Sequence, residues 1–255
     1  AWAYILNWEF EVAKQILGVV RQYLSDNPDF REQKKLKKKF LHRELMLSTF
    51  SDNAIQAEEQ ITHWLSSYSG EGDYYFTASA KACLLYARRE QFDCKKIGAY
   101  YESIRELFIR GNAEFGTVWH DCIVGPGLKM CGDLDRAARV YLRAIEVAER
   151  INGRGSPLVA MPSLMLAEIY YERNDLGRCS DLLESNFDFV ETMGFLDQLI
   201  SAYLCKSKLL YLNGDTKQSA SLLELGNEVA TKYDFDRLKA HIVCEQVRQA
   251  VALGK

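Results

Sequence analysis

The chain has 255 residues, 48% of them hydrophobic and 26% charged, with a formal net charge of -3. That length and apolar share can bury a sizeable core, which excludes a disordered chain, and the near balance of charge gives no general pull toward nucleic acid or an anionic membrane. Seven cysteines (Cys83, Cys94, Cys122, Cys131, Cys179, Cys205 and Cys244) with no CxxC pair argue against a disulfide framework or an encoded zinc site, and for reduced thiols in a cytoplasm.

The chain opens on AWAYILNWEFEVAKQIL, with neither an initiator Met nor a basic-then-apolar leader. Trp2, Tyr4 and Leu6 read as the end of a helix whose beginning is missing, so a fragment of a longer protein is expected. Helix starts of one common pattern follow at Phe10, Ala54, Phe92, Leu134, Leu176 and Thr216, spaced by 44, 38, 42, 42 and 40 residues. The pattern is clearest in CGDLDRAARVYLRAIEVAER, Cys131 to Arg150. Here Leu134, Ala137, Ala138, Tyr141, Leu142, Ile145 and Ala148 fall on one helical face, Gly132 tolerates a left-handed turn, and Asp133 can cap the next helix. Three residues into each start stand Ala13, Ala57, Lys95, Ala137, Cys179 and Ser219. All but Lys95 are small, as a close helix crossing requires.

A second set of breakers alternates with these turns: SDNPD at 25–29, SGEGD at 69–73, RGNAE at 110–114, NGRGSP at 152–157, Gly194, and YDFD at 233–236. Each unit of about forty residues is then two antiparallel helices, the period of a helical solenoid. No strictly alternating run bounded by hairpin turns supports β-structure. The expected fold is all-α, a right-handed solenoid of about six such pairs forming one domain over 1–255. No apolar run reaches the roughly eighteen residues of a membrane span. Gly125-Pro126-Gly127 predicts a kink or early break, because proline lacks the backbone donor. Pro157 sits near a helix start, and Pro162 falls in the first turn if that helix begins late. A missing front helix predicts apolar exposure around Trp2, Ile5, Ile16 and Val20, with self-association through that end.

Candidate chemistry is sparse. In KKLKKKF, Lys34 to Phe40, Leu36 and Phe40 have core spacing and the lysines a solvated face, so direct nucleic-acid contact is not expected. Trp119-His120-Asp121-Cys122 brings imidazole, carboxylate and thiol together in sequence, yet consecutive helical residues point about 100° apart and cannot form a relay. His42, His63, His120 and His241 lie on different repeats without paired spacing, which argues against a metal site. NGRGSP follows a helix rather than a strand, so it reads as a connection and not a phosphate cradle. Glu168 and Glu172 share a helical face, but nothing marks them as an acid and base pair. No enzyme and no cofactor is expected.

Residues 132–176, GDLDRAARVYLRAIEVAERINGRGSPLVAMPSLMLAEIYYERNDL, resemble the tetratricopeptide-like sensor region of large ATP-dependent LuxR-type (MalT-like) bacterial transcriptional regulators, most specifically at GRGSP and LAEIYYERNDL. The similarity extends over about 112–253; before it, mainly the repeat spacing agrees. In such regulators a nucleotide-binding domain precedes the superhelix and a helix-turn-helix domain follows it, and no GxxxxGK[ST] loop occurs here. The resemblance implies binding of a small-molecule effector or a regulatory protein in a concave groove; the alternative is a general scaffold that binds a peptide or helix. In tetratricopeptide-like pairs the first helix lines that groove, at positions two, three, six, ten and thirteen residues before each turn residue. Back from Gly132 these are Met130, Lys129, Pro126, Cys122 and Trp119. Back from Asn174 they are Glu172, Tyr171, Glu168, Leu164 and Met161, and back from Gly214 they are Leu212, Tyr211, Lys208, Leu204 and Ser201. Aromatic area with charges of both signs suits a polar ligand, which makes Trp119, Lys129, Glu168, Tyr171, Glu172, Lys208 and Tyr211 the candidate site.

Overall fold

A computed structural model describes residues 1–29, 32–67, 72–93 and 97–254. Among them the helices are α1 (Trp2–Leu6), α2 (Phe10–Asp26), α3 (Gln33–Phe50), α4 (Ala54–Ser67), α5 (Tyr74–Glu90), α6 (Ile97–Arg110), α7 (Glu114–Met130), α8 (Leu134–Asn152), α9 (Pro157–Glu172), α10 (Leu176–Asn186), α11 (Leu196–Leu212), α12 (Thr216–Tyr233) and α13 (Asp236–Ala252). One 3-10 turn, Phe187–Phe189, follows α10, and no strand occurs among the described residues. The chain is thus the all-α array of paired helices that its spacing predicts. Lys95, Cys94 and residues 69–71 of the SGEGD breaker lie outside the described residues.

The chain gathers into two compact units, residues 1–127 and 128–255, and the boundary falls inside α7. In the first, α3 packs against α1, α2, α4 and α5, and α5 continues onto α6. In the second, α9 packs against α8, α10 and α11, while α11 packs against α12 and α13. Within each unit every second helix touches the next but one, so α1, α3 and α5, like α9, α11 and α13, form an inner row. The helices between them contact chiefly their sequence neighbours.

The tight turns share one geometry. A residue in the left-handed region stands at Trp8, Asp52, Phe92, Gly132, Asn174 and Gly214. The next residue's N–H reaches back five positions, as from Asp133 to Leu128 O (3.0 Å), Asp175 to Tyr170 O (2.9 Å) and Asp215 to Leu210 O (2.9 Å). This closes the orphan carbonyls of the finishing helix. Asp133, Asp175 and Asp215 then cap the following helix by accepting the N–H of Arg136, Arg178 and Gln218. Three residues into that helix Ala13, Ala57, Ala137, Cys179 and Ser219 are fully buried.

The third pair departs from its expected start. Phe92 is the left-handed turn residue, 83% exposed, and not the first residue of a helix. Ile97 stands five residues after this turn residue, as Ala137 does after Gly132, and so takes the crossing position. Ile97 is large and buried, and the facing helix supplies the space instead: a Cβ on Gly127 would stand 2.2 Å from Ile97 Cδ1. That packing also bears on Gly125-Pro126-Gly127, where α7 does not break but runs on to Met130. Pro126 forgoes one hydrogen bond while its neighbour Gly127 permits the crossing. Pro162 likewise lies in the interior of α9, because that helix begins at Pro157.

The front end differs from expectation too. Ile5 is fully buried, Trp2 packs edge-on against Phe50 at 6.0 Å, and Ile16 and Val20 are half-buried. The short α1 lies on α2 and α3 and covers the apolar face that was expected to stand open.

Candidate functional site

The second unit assembles most of the expected site. Turn-closing residues at Asn174 and Gly214 fix the rotation of α9 and α11, and with it which side chains share the inner face. Glu168 on α9 accepts from Lys129 Nζ (2.6 Å) and from Ser201 Oγ on α11 (2.8 Å), so its carboxylate is held from two sides. One turn along, Lys208 Nζ stands 5.1 Å from the ring centroid of Tyr171. Lys208 has no carboxylate within ion-pair reach among the described residues, and the aromatic face stabilises its charge only partly. Tyr211 lies under the guanidinium of Arg248, 5.4 Å from its ring centroid. Glu172 is exposed at the end of α9.

Several groups of this face escaped the sequence reading. Arg237 on α13 donates to Asp197 on α11 at 3.0 Å. Arg248 grips Glu245 through Nε (2.8 Å) and Nη2 (2.5 Å), while Gln249 Nε2 donates to the same carboxylate (2.8 Å). Gln249 is itself tied to Ser207 (3.1 Å) and Ser219 (3.0 Å), a buried network across α11, α12 and α13. Burial would raise the Glu245 carboxyl, but the hydrogen bonds from Arg248 and Gln249 and the charges of Arg248 and Lys208 hold it below the usual range. Burial also pushes the Tyr171 phenol up, against the charge of Arg248. A signal for Arg248 does exist in the sequence. Gly254 is left-handed like Gly132 and Gly214, and counting back six from it gives Arg248, the counterpart of Glu168 and Lys208.

Other expected positions are not available to a ligand. Trp119 is 7% exposed and packs against Phe50 (5.2 Å) and Phe115 (5.8 Å), which makes it a core residue of the first unit. Cys122, Met161, Leu164, Ser201 and Leu204 are buried as well. The counting rule finds the inner face only in the last turns of α9 and α11, because their earlier turns are covered by neighbouring helices. His42 and His120 are buried while His63 and His241 are exposed, and no group of three potential metal ligands occurs among the described residues. No helix among those residues is long and apolar enough to cross a membrane.

The family described as MalT-like TPR region matches residues 45–255. Serine/threonine-protein kinase PknK of Mycobacterium tuberculosis (strain ATCC 25618 / H37Rv) is 28% identical over 139 residues, which covers 54% of this chain and 12% of that protein. The PknK of Mycobacterium bovis (strain ATCC BAA-935 / AF2122/97) matches to the same extent. This chain thus spans about an eighth of the length of the relatives it matches. Among solved structures, BtubC (BKLC) from P. vanneervenii is similar with a TM-score of 0.57 and 15% identity, over 93% of this chain and 91% of that one. At that identity the likeness bears on the fold alone.

Proposed function

The chain belongs to the family of MalT-like tetratricopeptide regions, and from that premise we propose that it is the sensor module of a LuxR-type transcriptional regulator, binding an anionic effector or partner segment on the inner face of its second unit. The observation that carries this reading is the row Glu168, Lys208 and Arg248 on three adjacent inner helices, with Tyr171 and Tyr211 between them. Glu168 and Arg248 are already paired, whereas Lys208 is a half-buried cation lacking a carboxylate. An anionic group seated there gains a charge-assisted contact without first breaking an internal one. The aromatic rings on either side supply area at little cost in side-chain entropy.

The module has no catalytic role in this reading, makes no direct contact with nucleic acid, and works in the reducing cytoplasm, where its buried thiols at Cys83, Cys122, Cys179 and Cys205 stay reduced. A second reading, a scaffold for an extended peptide, is favoured by the spread of the row over three helices. Tyr171→Ala combined with Lys208→Ala tests the site. Calorimetry against a panel of carboxylate- and phosphate-bearing metabolites, and against acidic peptides, is expected to show binding that the double variant loses while keeping its helical circular dichroism. Unchanged binding by the variant moves the site elsewhere. In the parent reading frame, an upstream ATP-binding loop and a downstream helix-turn-helix are expected, and their absence removes the regulator reading but leaves the scaffold.

A further inference from the structure

The second unit carries another cavity, set apart from the inner face: a cleft of about 480 Å³ between α8 and α10, floored by α9. Its floor and walls are apolar, formed by Ile145, Val159, Leu166 and Leu182. The polar groups that line it are unusual in sign. Ser163 Oγ donates to Val159 O (2.7 Å), Ser185 Oγ to Asp181 O (2.8 Å), and Asn186 Nδ2 to Leu182 O (2.8 Å). Each of these donors is thus engaged by its own helix. Acceptor lone pairs remain on these groups, and Asn186, which lines the cleft, is only 6% exposed.

The charges at the rim point the same way. Asp181 on one wall has no cation within ion-pair reach among the described residues. Glu149 on the other wall has only the exposed Arg154, at 3.6 Å. The single lining cation, Arg178, is held by Asp175 (Nε to Oδ2 2.6 Å) and lies over the Tyr170 ring at 4.4 Å, so its charge is compensated where it stands. The cleft therefore offers apolar surface, acceptors and two carboxylates, but few donors. A buried acceptor gains most from a ligand that brings a donor, and a carboxylate from one that brings a positive charge.

We propose that this outer cleft is a binding site for a small amphipathic cation, an apolar body bearing a protonated amine, with the amine directed to Asp181, Glu149 and Asn186. The proposal stands independently of the inner face. Its test is calorimetric titration of the 255-residue chain with three probes of one shape: 2-phenylethylamine, 2-phenylethanol and phenylacetate. The amine is expected to bind saturably with a Kd below about 1 mM, the alcohol about tenfold more weakly, and the carboxylate not at all. Glu149→Gln with Asp181→Asn, both on the surface, is expected to weaken the amine about tenfold while leaving the alcohol unchanged. Leu142→Trp, at the exposed rim, is expected to block all three probes. Binding of phenylacetate as tight as that of the amine, no saturable amine binding, or an amine affinity unmoved in the carboxylate variant each overturns the proposal. Should a variant fail to fold, the three-probe comparison on the unaltered chain still decides it.

Discussion

His42 shows how one buried side chain sets a pH limit. Arg43 Nη1 donates to its Nδ1 at 2.9 Å, so the neutral ring carries its proton on Nε2, and the ring packs against Phe76 and Tyr75. Burial, and then the charge of Arg43, lowers its pKa from 6.5 to about 3. Below pH 6.5 the unfolded chain therefore takes up a proton that the folded chain refuses, and stability is lost as the pH falls from 6.5 toward 3. Above 6.5 this group has no effect. The loss approaches about 1.4 kcal/mol per pH unit within that window. Urea unfolding at pH 7 and pH 5 is expected to show it, and His42→Leu to remove most of the difference; an equal pH slope in the variant refutes the assignment. Phe92 is a second strained point, because a bulky residue in the left-handed region costs about 1–2 kcal/mol that glycine does not. Phe92→Gly is expected to raise stability by about 1 kcal/mol, since the lost side chain is mostly solvated. A lower urea midpoint counts against this.

Between residue and fold stands the tight turn, and it explains what could be read in the sequence. Five of six outer helices begin where expected, because Asn53, Asp133, Asp175 and Asp215 precede them and a small residue follows three positions in. The third was misplaced for two physical reasons. Phe92 holds a left-handed position that composition assigns to glycine or asparagine, and the small residue needed at the crossing is Gly127 on the facing helix rather than a residue near position 95. The candidate face was half legible in the same way. Offsets from Asn174 and Gly214 reach Glu168, Tyr171, Lys208 and Tyr211, but Arg248 needs the offset from Gly254, and the Glu245–Gln249 network has no sequence signature at all. Two substitutions test the turn as a unit. Asp215→Ala removes a cap and is expected to cost about 1 kcal/mol. Ala137→Leu forces a branched side chain into a fully buried crossing and is expected to cost about 1–3 kcal/mol. A thermal midpoint unchanged in either variant speaks against the role given to that residue.

At the scale of the whole molecule, repeat proteins add their stability from neighbour to neighbour, so cooperativity follows the continuity of contacts rather than the length of the chain. The boundary between the two compact units falls in α7 beside Gly125-Pro126-Gly127. Pro126 breaks the hydrogen-bond ladder there, and glycine is the weakest helix former after proline, so α7 transmits order least well at that point. Separate unfolding of the two units is the expected consequence, and the sequence provides the means to see it. All four tryptophans, Trp2, Trp8, Trp64 and Trp119, belong to the first unit, whereas helical circular dichroism reports on both. In urea, fluorescence and circular dichroism are expected to give transitions that do not coincide, a sign that more than two states are populated. Ala137→Leu, which lies in the second unit, then shifts part of the circular dichroism transition to lower urea and leaves the fluorescence midpoint in place. Superimposable transitions that move together in the variant would show instead that α7 carries cooperativity through its proline, and that the array unfolds as one.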